Sequence, residues 1–111
     1  MKTNLEKFPP THPGEILANR FFKPRSLTSE KVAQDLQLPT YQLQDLIEGK
    51  SRIDPEIAYR LGLYFQVDPE GFLNLQQIYD LAVWKDRQGE IVKKQVHPYR
   101  QAKETTHFKT A

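Results

Sequence analysis

Thr40, Tyr41, Gln42, Gln44 and Asp45 occupy one short stretch, interleaved with Leu43, Leu46 and Ile47. At 100° per residue the three apolar side chains share one helix face and Tyr41, Gln44, Asp45 and Glu48 the opposite one, with Thr40 and Gln42 at the N-terminal end. The chemistry such a face can do is recognition. A Gln amide bonds N6 and N7 of adenine together, a Thr methyl packs on thymine, and an Asp carboxylate accepts from cytosine N4 at a cost against nearby phosphates. Tyr41 can stack or bond a phosphate. Glu48, at the far end, is expected to face solvent or an Arg of this chain. Any amphipathic helix shows a polar outer face, so plain solvation is the competing reading. The flanking sequence favours readout for Thr40, Tyr41, Gln42 and Gln44, and leaves Asp45 and Glu48 open.

Phosphate-binding groups flank this stretch on both sides. Thr28 and Ser29 stand where a preceding helix begins, and the unpaired N–H groups of a helix start attract anions. Lys31 adds charge there. Lys50, Ser51 and Arg52 lie just beyond the polar face, where a contact to the DNA backbone is expected. For Arg52 the alternative is an internal salt bridge to Asp54 or Glu56.

Catalytic patterns are absent. His12, His97 and His107 are far apart and lack metal-site spacing. There is no Cys, no nucleophile with a matched base, and no Gly-rich phosphate loop. The expectation is a non-enzyme with no cofactor, no metal and no small-molecule substrate.

The elements that must hold these residues are short helices. His12-Pro13-Gly14-Glu15 starts the first, with proline at a position where its missing N–H does no harm, and Pro24 ends it. Ile16, Leu17 and Phe21 form its apolar stripe. Thr28 caps the second, whose core residues are Val32, Ala33 and Leu36. Only Gln37-Leu38-Pro39 separates it from the third, Thr40 to Glu48, which Gly49 closes. Two close helices in this arrangement are a helix-turn-helix, whose second helix can enter the major groove. Asp54-Pro55-Glu56 and Asp68-Pro69-Glu70 start two more helices. The fourth buries Ile57 and Leu61. The fifth carries a broad apolar face of Phe72, Leu73, Leu75, Ile78, Tyr79, Leu81 and Val83. Its Leu73, Asn74, Gln76, Gln77 and Tyr79, with Trp84, are candidates for a dimer interface, because amides on an apolar helix need specified partners. Trp84 and Tyr99 flank a basic tail and suit packing against a second copy or partner better than stacking on RNA.

Beyond Lys85 the helical pattern fades. Gly89 interrupts it, and Glu90-Ile91-Val92 to Val96 reads as one short strand ended by Pro98. The expected organisation is an N-terminal arm at 1–11 that includes Leu5 and Phe8, a helix-turn-helix domain at 12–84, and an extension at 85–111 with a frayed end.

The 111 residues carry a net charge of +2, unevenly placed. Residues 28–83 hold four Lys/Arg against nine Asp/Glu, while both flanks are basic. An acidic core opposes strong non-specific DNA binding and offers a surface to a basic protein. No apolar run approaches the roughly 18 residues of a membrane span, and the N-terminus lacks a signal-peptide pattern. A cytoplasmic location is expected.

HPGEIL at 12–17, the helix-turn-helix, GKSRIDPEIAYRL at 49–61 and DPEGFLNLQQIYDL at 68–81 resemble the HigA-type antitoxins of the lambda-repressor-like family. The resemblance covers roughly His12 to Leu81. It implies an all-α, five-helix domain, to which the extension adds its short strand. It further implies a homodimer that binds a palindrome in its own promoter and a partner toxin of the HigB type, an mRNA-cleaving enzyme of RelE-like fold. An orphan regulator without a toxin, or a protein-binding module that has lost DNA binding, are the alternatives. Three positions depart from the family pattern. Gln37 stands where glycine is common, so a positive φ there costs ~1 kcal/mol. Pro39 stands where a capping Ser or Thr is usual, which suggests that Thr40 takes over the cap. Gly71-Phe72 replaces a Phe-Trp pair.

Overall fold

A computed structural model describes residues 10–100. The arm residues Leu5 and Phe8, His107 and the expected frayed end at 101–111 lie outside the described residues. Five helices follow one another. α1 is Pro13–Ile16, continued without interruption by a π-helical Leu17–Phe22 and a 3-10 turn at Lys23–Arg25. α2 is Ser29–Leu36, α3 is Thr40–Ile47, α4 is Pro55–Phe65 and α5 is Pro69–Gln95. The expected all-α architecture stands.

Four of the five starts are capped by the side chain that precedes the helix. His12 Nδ1 accepts from the Gly14 N–H at 2.9 Å and Thr28 Oγ1 from the Lys31 N–H at 3.1 Å. Asp54 Oδ1 accepts from the Ile57 N–H at 2.8 Å and Asp68 Oδ1 from the Glu70 N–H at 3.0 Å. α3 is the exception. Pro39 occupies its cap position with φ −62° and ψ 142° and offers no side-chain hydrogen bond, so Thr40 is the first helical residue and not the cap. Pro24 has no N–H for the Arg20 carbonyl, yet the first segment runs to Arg25. Arg25 Nη1 covers the open end, donating to the Phe21 carbonyl at 3.0 Å and reaching the Arg20 carbonyl at 3.5 Å.

The core takes one stripe from each helix: Leu17 and Phe22, Val32 and Leu36, Leu43 and Leu46, Ile57 and Leu61, then Phe72. Phe21 sits over it, 5.1 Å from Phe65 and 5.2 Å from Phe72 between ring centroids. Gly14 is buried against α3, and a Cβ there would run into the Leu46 carbonyl. The start of α1 thus meets the end of α3 backbone to backbone.

The strand expected at 90–96 is absent: residues 85–95 continue α5 through Gly89. A lone strand would leave its ladder bonds unmade, whereas a helix satisfies them internally. Glycine weakens a helix by about 1 kcal/mol, too little to stop one already nucleated. The expected boundary at Trp84-Lys85 therefore falls inside a single 27-residue helix, about 40 Å long at 1.5 Å per residue. The described residues measure 58 × 31 × 22 Å.

The apolar face expected on α5 proves to be two faces. Phe72 and Gln76 are buried, with Tyr79 and Val83 half-buried on the same side. Ile78 is 67% exposed and Leu81 59% exposed, because at about 100° per residue they lie far round the helix from Phe72 and point away from the core. No described helix is long and apolar enough to cross a membrane.

Candidate nucleic-acid interface

α2 and α3 form the helix-turn-helix. The turn needs the left-handed conformation at Gln37, with φ 61° and ψ 47°. It is closed by the Leu38 N–H donating to the Ala33 carbonyl at 2.9 Å. Leu43 and Leu46 pin α3 to the core, which turns Tyr41 and Gln44 outward; Tyr41 is 65% exposed. Thr40, Gln42 and Asp45 are half-buried beside them. All five are on or beside one surface, as the periodicity predicts.

The cations are less free than their positions in sequence suggest. Lys31 Nζ lies 3.3 Å from Asp35, whose other oxygen accepts from the Tyr64 hydroxyl at 2.6 Å. Lys50 Nζ lies 3.0 Å from Glu48, which raises the lysine's pKa. Glu48 thus meets a lysine, not an arginine. Exposed pairs of this kind are worth about 0–1 kcal/mol, so a phosphate can compete for either lysine. Thr28 and Ser29 stand at the α2 start as expected.

Arg52 is engaged differently. Both η nitrogens donate to Asp80 of α5, at 2.7 and 3.4 Å. The internal partner expected among Asp54 and Glu56 is therefore Asp80, 28 residues away. The Ser51 hydroxyl is enclosed and has no hydrogen-bond partner among the described residues, so it does not face a phosphate.

No family model matches the chain. A solved HigA-family addiction-module antidote protein from Coxiella burnetii is 34% identical, with a TM-score of 0.77 over 81% of this chain and 98% of that one. The chain belongs to the HigA family. The Pseudomonas aeruginosa antitoxin HigA, solved with the higBA promoter, is 29% identical with a TM-score of 0.77 over 80% of this chain and 97% of that one. An uncharacterised helix-turn-helix transcriptional regulator of Haemophilus influenzae is 39% identical over 72 residues, 65% of this chain and 67% of its own.

Within this HigA fold the sequence motifs acquire physical roles. In HPGEIL, His12 caps α1 and packs edge-on against Tyr79 at 5.0 Å, while Gly14 admits the end of α3. In FLNLQQIYDL, Gln76 is 3% exposed; its Oε1 accepts from the Ile53 N–H at 2.8 Å and its Nε2 donates to Asp80 at 3.0 Å. Gln76 is consequently not available to a second subunit, which corrects its place among the interface candidates. Leu73 and Tyr79 are half-buried in the chain's own packing, whereas Asn74, Gln77 and Trp84 are exposed.

The sequence reading missed three residues that hold the site. Arg60 Nη1 donates to the Leu36 carbonyl at 2.7 Å, covering the end of α2, and its Nε donates to Glu56 at 3.0 Å. Tyr64 ties Asp35 to α4, and Asp80 ties Arg52 to α5. The i, i+4 spacing of Glu56 and Arg60 was legible; the contacts across 24 to 29 residues carried no local signal.

Proposed function

We propose that this chain is the antitoxin of a toxin–antitoxin pair and a repressor of its own operon. As a homodimer it binds a palindromic operator in double-stranded DNA, and it neutralises an mRNA-cleaving HigB-type toxin of RelE-like fold. The observation that carries the DNA reading is the outward face of α3, with Tyr41 exposed in its first turn and Gln44 exposed one turn on. The promoter-bound Pseudomonas HigA supports it. Gln44 and its neighbours read bases, while Thr28, Ser29, Lys31 and Lys50 hold phosphates.

Dimerisation uses the free face of α5, where Asn74, Gln77 and Trp84 flank the exposed Ile78 and Leu81. Two-fold symmetry then sets the two copies of α3 about one DNA turn apart, roughly 34 Å. The toxin docks on the acidic core. An enzyme that binds RNA presents cations, and exposed Tyr59 and Leu63 of α4, beside Glu56, give that surface an apolar centre. The pair acts in the cytoplasm.

Fluorescence anisotropy of the full chain on DNA from its own upstream region tests the repressor reading, with random DNA as control at several salt concentrations. The expected preference for one palindromic segment is ~10³ or more. Equal weak binding to both DNAs, lost as salt rises, would sink it. The Haemophilus relative, a helix-turn-helix transcriptional regulator, favours a second reading: a regulator acting alone. Co-expression with the product of the adjacent reading frame separates the two. A stable complex and restored growth support the antitoxin, and neither appearing leaves the regulator.

A further inference from the structure

We infer that Asp80 and Gln76 of α5 are positioning residues for DNA reading, acting through Arg52 and the Ile53 backbone to fix the loop that follows α3. The inference rests on the repressor reading and names residues that touch no DNA. A loop that crosses the DNA backbone must hold its shape before contact, since ordering it on binding subtracts from affinity. Residues 48–54 are anchored at their two ends, by the Lys50 N–H on the Asp45 carbonyl at 2.8 Å and by the buried Ile53 side chain and the Asp54 cap, which leaves the Arg52 side chain between them to be placed. Gly49 turns the chain at φ 81°, and Lys50 pairs only with its neighbour Glu48.

α5 supplies the rest. Gln76 takes the Ile53 N–H in a buried bond of 2.8 Å, so the loop's exit is fixed by an amide with one orientation. The same amide donates to Asp80 at 3.0 Å and aims that carboxylate. Asp80 then grips Arg52 through both oxygens, at 2.7 and 3.4 Å. His12 lies against the other side of the loop, with its ring carbons 3.7–3.8 Å from where a Gly49 Cβ would be. Its partner Tyr79 is next to Asp80 on α5. The loop is thus held between the start of α1 and the middle of α5.

The arrangement also decides what Arg52 does. Arg52 is held by two bonds to a carboxylate that Gln76 itself fixes, whereas Lys50 has one contact with an exposed neighbour and is the easier of the two to exchange onto a phosphate. Arg52 is a strut, and Lys50 is the cation that meets DNA. Asp80 further lines two shallow grooves on α5, one with Tyr79, Val83 and Arg87 and one with Gln77, Ile78 and Leu81. The helix assigned to pairing and the loop assigned to DNA therefore share one carboxylate.

The test uses the full chain with Asp80→Asn, Arg52→Ala and the double variant. Each is measured by anisotropy on upstream and random DNA, at concentrations where sedimentation shows the wild-type assembly state. Removing a negative charge should strengthen binding to any DNA if charge alone acts. The expected result is the opposite on the specific site: Asp80→Asn weakens it about tenfold and leaves random DNA no weaker. Asp80→Asn should add nothing in the Arg52→Ala background, because the two act as one unit. Arg52→Ala, a change at an exposed side chain, should keep the wild-type salt slope.

Three results overturn the inference. One is Asp80→Asn tightening both DNAs alike; another is Arg52→Ala lowering the salt slope by about one unit, the mark of a phosphate ligand. The third is an unchanged ratio of specific to random binding in either variant. Wild-type protein without preference removes the repressor reading and this inference together, whereas a wild-type preference that both variants keep undiminished removes the inference alone.

Discussion

Gln44 and Lys50 are a few residues apart and should fail in different ways. Gln44→Ala should weaken specific binding by about 1–3 kcal/mol with little change in salt slope. Lys50→Ala should weaken all sequences alike and lower the slope by about one unit, once the modest Glu48 pairing is set aside. Anisotropy on specific and random DNA across salt checks both, and equal losses for the two variants would refute the division of labour. Gln37 is a different kind of residue: it reads nothing but holds φ 61° in the turn. Gln37→Gly should raise stability in urea unfolding by about 0.5–1 kcal/mol, since glycine adopts that conformation without a Cβ penalty. These residues were legible in the sequence because their roles are local. A polar face opposite Leu43 and Leu46 follows from spacing, and Gln37 is conspicuous where the family has glycine. For Arg52 the internal salt bridge was legible as an alternative but its partner was not, because Asp80 is 28 residues away and no period links them.

Helix starts were the most legible elements. Thr28, Asp54 and Asp68 each cap the helix that the sequence assigned to them, since a cap bond closes within two or three residues. The end of α5 was the least legible. Gly89 and the β-branched Ile91, Val92 and Val96 argued for a strand, yet a helix needs no partner to satisfy its backbone. Gly89 has normal helical backbone, and an added Cβ would meet only the Lys85 side chain at 3.6 Å or more. Gly89→Ala should therefore raise the helicity of residues 85–95 and slow their amide exchange, by an amount equivalent to about 0.5–1 kcal/mol. Unaltered exchange would show that this segment is held by something other than its own helical bonds. The two-faced character of α5 was also hidden, because a sequence shows that Ile78 and Leu81 are apolar and not which neighbour they lack.

For the whole molecule, the proposed pairing through the free face of α5 is one that a single charge should undo. Leu81→Glu should shift sedimentation to the monomer while leaving the far-ultraviolet spectrum unchanged, because Leu81 is exposed and outside the core; a variant that still pairs would place the interface elsewhere. Acid should act through the struts. Asp80 is held below its usual pKa chiefly by the Arg52 hydrogen bond, and Asp35 chiefly by the Tyr64 hydroxyl. A depressed carboxylate contributes stability that is present above its unfolded pKa and is lost as pH falls through the folded value. Urea midpoints should therefore fall below about pH 4, and Asp80→Asn should flatten part of that fall. Tyr64 is raised by the same contact, chiefly through its bond to Asp35, so its contribution is present at neutral pH and is lost in alkali as pH rises through the raised value. The long α5 is fastened to the domain between Phe72 and Asp80 and exposed along much of its remaining length. It is a lever whose free arm, fifteen residues past Asp80, spans about 22 Å. If two copies cross at the Ile78 and Leu81 face, a change in the angle between the two helices swings each whole domain about that crossing. The spacing of the two reading heads is then a matter of angle, and a family with this design can retune its half-site separation by changing how two helices cross, with every base-reading residue left in place.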